Sequence, residues 1–172
     1  MIRKQKVLFI VPNLKNMFGG KGGTPGHPHV GIASLASYLE QKEPERYEIS
    51  VFDEGVERDN KKVNDYVKSF RPDVIGITTF SYCYVSVLDT VKRVSKVSKA
   101  PIILGGAHVS AVKGEALKDS PNVAFGVKSE GEVTLLELLR TLRKKESNFG
   151  KIKGLIWRKR NKIIENPDRE LI

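Results

Sequence analysis

The chain has 172 residues, enough for one domain with a full core and short for two. With 40% apolar and 29% charged residues it is neither disordered nor collagen-like, and its single cysteine, Cys83, excludes a disulfide framework, an iron–sulfur cluster or a multi-thiolate zinc site built from this chain alone. The formal charge of +10 raises nucleic acid, an anionic membrane or acidic ligands as partners.

The first apolar run, Val7–Val11, reads as a strand. It follows Met1-Ile-Arg-Lys-Gln-Lys6 directly, with no signal-peptide core, and with Pro12 it is the longest apolar run, at six residues. No membrane-spanning segment is expected, and the chain is predicted to be cytoplasmic. Ile32, Leu35, Ala36 and Leu39 then mark one face of a helix. A strand over Glu48–Phe52 precedes a second helix carrying Val63, Tyr66, Val67 and Phe70, ended by Arg71-Pro72. The strand Val74–Thr78 leads to a helix with Leu88, Val91 and Val94, and the strand Ile102–Leu104 to a weaker helix over Ala111–Leu117. The strand Val123–Phe125 is followed by a helix presenting Leu135, Leu138, Leu139 and Leu142. This alternation predicts an α/β fold: a doubly wound, five-stranded parallel sheet with right-handed crossovers, flavodoxin-like, in the order 2-1-3-4-5. After residue 150 the pattern changes. Residues 152–157 and 162–165 flank the turn-prone Arg158-Lys-Arg-Asn161 and read as a C-terminal β-hairpin, closed by Asn166-Pro167-Asp168. The expected organisation is therefore a sheet domain over 1–150 and a hairpin and linker over 151–172.

The charge is not spread evenly. From Arg140 onward eleven basic residues face four acidic ones, so the last helix and the hairpin hold +7 of the total. Charge confined to a terminal segment reads as a docking face rather than a groove built by the fold.

In an open α/β sheet, ligands bind beyond the carboxyl ends of the strands. The loop after the first strand, Pro12 to His29, is eighteen residues long and holds Gly19, Gly20, Gly22, Gly23 and Gly26 with His27 and His29. It has neither a G-x-G-x-x-G nor a G-x-x-x-x-G-K-[ST] spacing, so it reads as a flap or a ligand lid rather than a phosphate loop. Two histidines without a nearby carboxylate make a weak metal site. After the third strand, Thr78, Thr79, Phe80 and Ser81 offer hydroxyls for a polar ligand, and Ser81 could equally cap the next helix. After the fourth, Gly105-Gly106 lets a bulky group approach the backbone, or simply makes a turn, and Ala107 and His108 follow. After the fifth, Glu130, Gly131 and Glu132 open the last helix, where carboxylates also suit the helix dipole. Neither Cys83 nor His108 has a partner at a catalytic spacing. Together these features suit a binding domain better than a complete enzyme.

Asp73-Val-Ile-Gly-Ile-Thr-Thr-Phe80, Pro101-Ile-Ile-Leu-Gly-Gly-Ala-His108 and Ser129-Glu-Gly-Glu132 ahead of a leucine-rich helix resemble the cobalamin-binding domain that precedes the barrel of cobalamin-dependent radical S-adenosylmethionine proteins. Lys153-Gly-Leu-Ile-Trp157 and Asn166-Pro-Asp-Arg-Glu170 resemble the link to that barrel. The resemblance implies a Rossmann-like domain in which the nucleotide tail of cobalamin passes between the sheet and its helices. Thr78, Thr79, Phe80 and Ser81 would hold the tail, Gly105, Gly106, Ala107 and His108 would let it pass, and Glu130, Gly131 and Glu132 would flank its benzimidazole end. The first loop lacks the D-x-H-x-x-G of the methionine-synthase-like branch, so the resemblance implies a cobalt without a protein histidine as lower ligand, with Leu14, Met17 and Phe18 beneath the corrin ring. An iron–sulfur cluster and S-adenosylmethionine would sit only in a further C-terminal domain, and that domain would be the partner. The parent is expected to be a methyltransferase or an anaerobic magnesium-protoporphyrin monomethyl ester cyclase-like enzyme, this chain being inactive alone. A flavodoxin-like nucleotide or nucleic-acid module using the basic hairpin is the alternative, made less attractive because Trp157 is the hairpin's only aromatic residue.

Overall fold

A computed structural model describes residues 3–13, 29–57 and 60–170. The elements run β1 Gln5–Val11, α1 Val30–Lys42, β2 Tyr47–Asp53, α2 Glu54–Glu57, α3 Asn60–Phe70, β3 Val74–Thr78, α4 Tyr84–Val94, β4 Ile102–Gly105, α5 Ala107–Val112, α6 Glu115–Lys118, β5 Val123–Val127, α7 Glu132–Arg143, β6 Leu155–Lys159 and β7 Lys162–Glu165. The strands form one sheet in the order β2-β1-β3-β4-β5-β6-β7. The first five are parallel, whereas β6 and β7 are antiparallel to their neighbours.

β1 lies inside the sheet, and its side chains alternate between two cores. Leu8 and Ile10 join Val63 and Val67 of α3, Val87, Val91 and Val94 of α4, and Leu117 of α6. Val7, Phe9 and Val11 join Ile32 and Leu39 of α1 and Leu135, Leu138 and Leu139 of α7. Val7, Leu8 and Ile10 are wholly buried, and each contributes about 1.5–3 kcal/mol relative to exposure. Burial on both faces is why the strand is apolar throughout instead of alternating.

The sheet differs from the expectation of five strands. The hairpin adds two more, pairing Phe125 with Trp157, Gly126 with Ile156 and Val127 with Leu155. Leu155 and Ile156 are fully buried in opposite cores, so β6 covers the edge that β5 would otherwise expose. Helix details differ as well. The weak fourth helix is two short ones, α5 and α6. The buried stripe of α4 is Val87, Thr90, Val91 and Val94, one residue out of phase with the expected Leu88 position.

Four of the eleven C-terminal basic residues are tied into the fold, and the lysines of that segment stay exposed at the surface. Arg140 and Arg143 both bind Glu43 beside α1, at 2.8 and 2.9 Å. Arg158 donates to the carbonyls of Leu117 and Ser120, at 2.5 and 3.2 Å, and Arg169 pairs with Glu137. Buried Asn166 clamps the hairpin: its amide donates to the carbonyls of Phe149 and Ile152, at 2.6 and 2.8 Å, and accepts from Trp157 Nε1 at 3.1 Å. Among the described residues no helix is long and apolar enough to cross a membrane.

Candidate functional site

A cavity of about 490 Å³ opens at the carboxyl ends of β3, β4 and β5, between the sheet and helices α1 and α7. Its volume lies within the ~300–1,000 Å³ usual for small-molecule sites. Phe9, Ile103 and Val127 floor it, Ile32 and Leu35 wall it on the α1 side, and Leu135 on the α7 side. Gly76, inside β3, shapes that floor: a Cβ there would stand 2.8 Å from Phe9 Cδ1, so only glycine lets the ring lie across the strand.

The paired glycines do different work. Gly105 lines the cavity, and a Cβ built on it meets no heavy atom within 4 Å, so the missing side chain is open space for a ligand. Gly106 has φ +107°, and its Cβ would stand 2.8 Å from Thr79 O and 3.1 Å from Thr79 N. There glycine serves the chain itself, letting the loops after β3 and β4 touch through Thr79 N donating to Gly105 O (2.7 Å) and His108 N donating to Thr79 O (3.1 Å).

The expected site residues divide accordingly. Thr78, Phe80, Gly105, Gly106, Glu130, Gly131 and Glu132 line the cavity, with Ser129 and His29 beside them. Thr79 is fully buried, its hydroxyl donating back to Ile77 O at 3.2 Å. Ser81 and His108 lie outside the lining and bond each other, Oγ to Nδ1 at 3.1 Å, while the His108 ring packs on Tyr84 with centroids 4.2 Å apart. Ser81 makes no capping hydrogen bond, and Ala107 begins α5 away from the lining. Leu14, Met17, Phe18 and His27 lie outside the described residues.

Among the described residues the lining holds two acidic residues, Glu130 and Glu132, and neither lysine nor arginine. Glu132 Oε1 accepts a 2.6 Å hydrogen bond from Ser34 Oγ, joining α7 to α1 across the cavity. His29 Nε2 lies 3.1 Å from Asp53 Oδ2, tying the start of α1 to the end of β2. Burial pushes the Cys83 thiol pKa up, and the thiol donates to Phe80 O at 3.4 Å, which suits a packed side chain and not a thiolate nucleophile. Among the described residues no three of His, Cys, Asp and Glu are grouped to hold a metal.

Some contributors escape sequence reading. Gly76 was detectable, because a glycine inside an apolar strand signals a close approach. Ser110 was not: its hydroxyl donates to Gly106 O at 3.2 Å and accepts Ser129 N at 2.9 Å, bracing the loops after β4 and β5. Ser34 likewise looks like any exposed helical serine until α1 and α7 are packed together.

The chain is 27% identical to an uncharacterized methyltransferase of Pyrococcus horikoshii, over 99% of this chain and 36% of that protein. It is also 27% identical to the anaerobic magnesium-protoporphyrin IX monomethyl ester cyclase of Rubrivivax gelatinosus, over 78% of this chain and 24% of that one. The chain thus spans about a third or less of these relatives' lengths. The same fold occurs in the radical S-adenosylmethionine methyltransferase TsrM of Kitasatospora setae, solved with cobalamin and a [4Fe-4S] cluster, with a TM-score of 0.79 at 21% identity over 99% of this chain and 30% of that one. It occurs again in the cobalamin-dependent S-adenosylmethionine radical enzyme OxsB, with a TM-score of 0.76 at 17% identity over 98% of this chain and 23% of that one. The model of the B12 binding domain matches residues 13–139, and the chain therefore belongs to the B12-binding domain family.

Proposed function

We propose that the cavity between the sheet and helices α1 and α7 receives the nucleotide tail of cobalamin, with the corrin ring beyond the carboxyl ends of the strands. The observation that carries this reading is Gly105, whose absent side chain leaves open space at the cavity wall, whereas of the adjacent pair the fold itself requires glycine at Gly106. The lining fits the group: apolar surface from Phe9, Ile103 and Val127 suits the benzimidazole, and Thr78 and Ser129 offer polar contacts for its sugar. When bound, cobalamin supplies a cobalt centre able to carry and hand on a one-carbon group. The chain's own residues bind the tail, orient it and exclude water from it.

No protein histidine serves as the lower ligand in this reading. The Asp53 contact of His29 Nε2 supports that assignment, because it holds the ring toward the end of β2. Residues 1–150 form the cobalamin-binding unit, and 151–172 connect it to a radical S-adenosylmethionine domain in a longer parent that holds the iron–sulfur cluster. The relatives' greater lengths support this. The parent is a methyltransferase or a cyclase-like enzyme, and this chain does not turn over substrate alone. Hydroxocobalamin added at micromolar concentration should co-elute with the chain in gel filtration and show a shifted absorption spectrum. Free passage of the cobalamin with an unshifted spectrum would refute the reading.

A further inference from the structure

Six described residues other than glycine have a positive φ. Five of them, Glu45, Arg71, Lys113, Lys145 and Arg160, stand in turns that follow a helix or in the β6–β7 turn, where the left-handed region is common. The sixth, Ser129 at φ +55°, lies between β5 and α7 and is the one of the six that lines the cavity. A serine in that conformation persists where its surroundings over-determine it.

Those surroundings include the far end of the chain. Ser129 N donates to Ser110 Oγ at 2.9 Å. Lys128, the residue before it, is pinned three times: its backbone N donates to Gly154 O at 3.0 Å, its Nζ donates to Asn166 O at 2.9 Å, and its ammonium pairs with Asp168. Gly154 N in turn donates to Pro167 O at 2.8 Å. Beyond the loop, Arg169 donates to Thr134 Oγ1 at 3.2 Å and pairs with Glu137. Residues 166–169 therefore form a strap that grips the Ser129–Glu132 loop from both ends, at Lys128 and at Thr134. All four loop residues line the cavity, and none of the strap residues does. Lys128 is 5% exposed, and a cation at that depth is retained through its partners, which here belong to the strap.

We infer that Lys128 is a positioning residue for the cavity: it transmits the seating of the strap to the backbone of Ser129, so that ligand affinity and strap seating are linked. This rests on the corrinoid reading above and adds to it the route by which the cavity and the C-terminal segment communicate. Linkage is reciprocal, so whatever strap seating adds to ligand affinity, the ligand returns to strap seating.

The test compares the full chain with Lys128→Met by spectrophotometric titration with hydroxocobalamin and by hydrogen–deuterium exchange. Methionine keeps an unbranched stem, removes the buried charge and leaves the exposed Asp168 carboxylate to water, so the fold should hold. Hydroxocobalamin affinity should fall about 5- to 150-fold, the usual range of such couplings. The amides of residues 129–132 should exchange about tenfold faster in the variant while those of β1 keep their wild-type rates. In the wild type, saturating hydroxocobalamin should slow exchange of the Gly154 amide, and in Lys128→Met it should slow it less. Wild-type affinity in Lys128→Met, unchanged exchange at 129–132, equal acceleration in β1, or no effect of cobalamin on Gly154 would each overturn the inference and leave the corrinoid reading intact. Binding of no cobalamin by the wild type would sink both. Should Lys128→Met lose its folded circular-dichroism signal, Arg169→Ala, which releases the other end of the loop, carries the comparison: faster exchange at 129–132 with weaker cobalamin binding supports the inference, and any other pattern overturns it.

Discussion

Replacing Gly105 with valine would place three carbon atoms where a built Cβ meets no heavy atom within 4 Å, on a backbone outside the left-handed region. At the Cβ position the protein therefore raises no steric objection to the change. Relative to glycine, the stiffer residue should leave stability unchanged or raise it by about 0.4–1 kcal/mol by restricting the unfolded chain. The ligand does have an objection, because those carbons stand in the space it needs. Overpacking of a formed site costs about 1–3 kcal/mol, which corresponds to roughly a 5- to 150-fold loss of cobalamin affinity. The neighbouring Gly106→Ala should behave in the opposite way. Its φ of +107° and the Thr79 carbonyl 2.8 Å from the new Cβ act on the fold, and the strain of about 1–3 kcal/mol should lower the thermal midpoint by about 3–10 °C. Spectrophotometric titration with hydroxocobalamin and thermal unfolding by circular dichroism, run on both variants, separate the two effects. Wild-type cobalamin affinity in Gly105→Val, or a wild-type midpoint in Gly106→Ala, would refute the assignment of one glycine to the ligand and the other to the chain.

Glu54 is 1% exposed and pairs with Arg93 at 2.7 Å while Thr90 Oγ1 donates to it at 2.7 Å. Arg93→Ala strands that carboxylate and should cost about 3–5 kcal/mol in urea unfolding. Burial would raise the Glu43 pKa, but hydrogen bonds from Arg143, Tyr47 and Arg140 outweigh it and hold the pKa at about 2, below the ordinary 4.5. A lowered folded-state pKa stabilises above the unfolded value, so the contribution should be present at pH 5 and above and fade as pH falls from about 4.5 to 2. The thermal midpoint of Glu43→Gln should change less over that window than the wild type's, and equal slopes would refute the assignment. Lys128, 5% exposed, donates to Asn166 O at 2.9 Å and pairs with Asp168, whose carboxyl pKa is lowered by that hydrogen bond. Asp168→Asn should therefore lower the midpoint, and Lys128→Met in the same background should recover part of it by removing the unpaired buried cation. No recovery would show that the cation is not the source of the loss.

The mixed α/β architecture was legible because strands buried on both faces must be apolar throughout and their crossover helices must carry a stripe. Val7–Val11 and the Leu135–Leu139 stripe show this directly. The hairpin was legible as a hairpin, but not as part of the sheet. Its turn chemistry is local, whereas the choice of β5 as partner depends on where Leu155 and Ile156 find their two cores. The loops after β3, β4 and β5 were legible as a group, and seven of the residues singled out in them line one cavity. Their individual roles were not. Thr79 and Ser81 carry the same hydroxyl in sequence as Thr78, and His108 is equally polar, yet their side chains bond the chain itself.

The amino-acid sequence alone determined the alternation of strand and helix, the absence of thiolate chemistry beyond Cys83, and the loops in which a ligand could sit, because each follows from residue type and short-range spacing. Only the tertiary structure decided which of two adjacent glycines faces a cavity, that four arginines of the basic C-terminal segment are engaged within the fold, and that Ser34 meets Glu132. Those outcomes depend on which faces pack together across the chain, and no local pattern encodes that meeting.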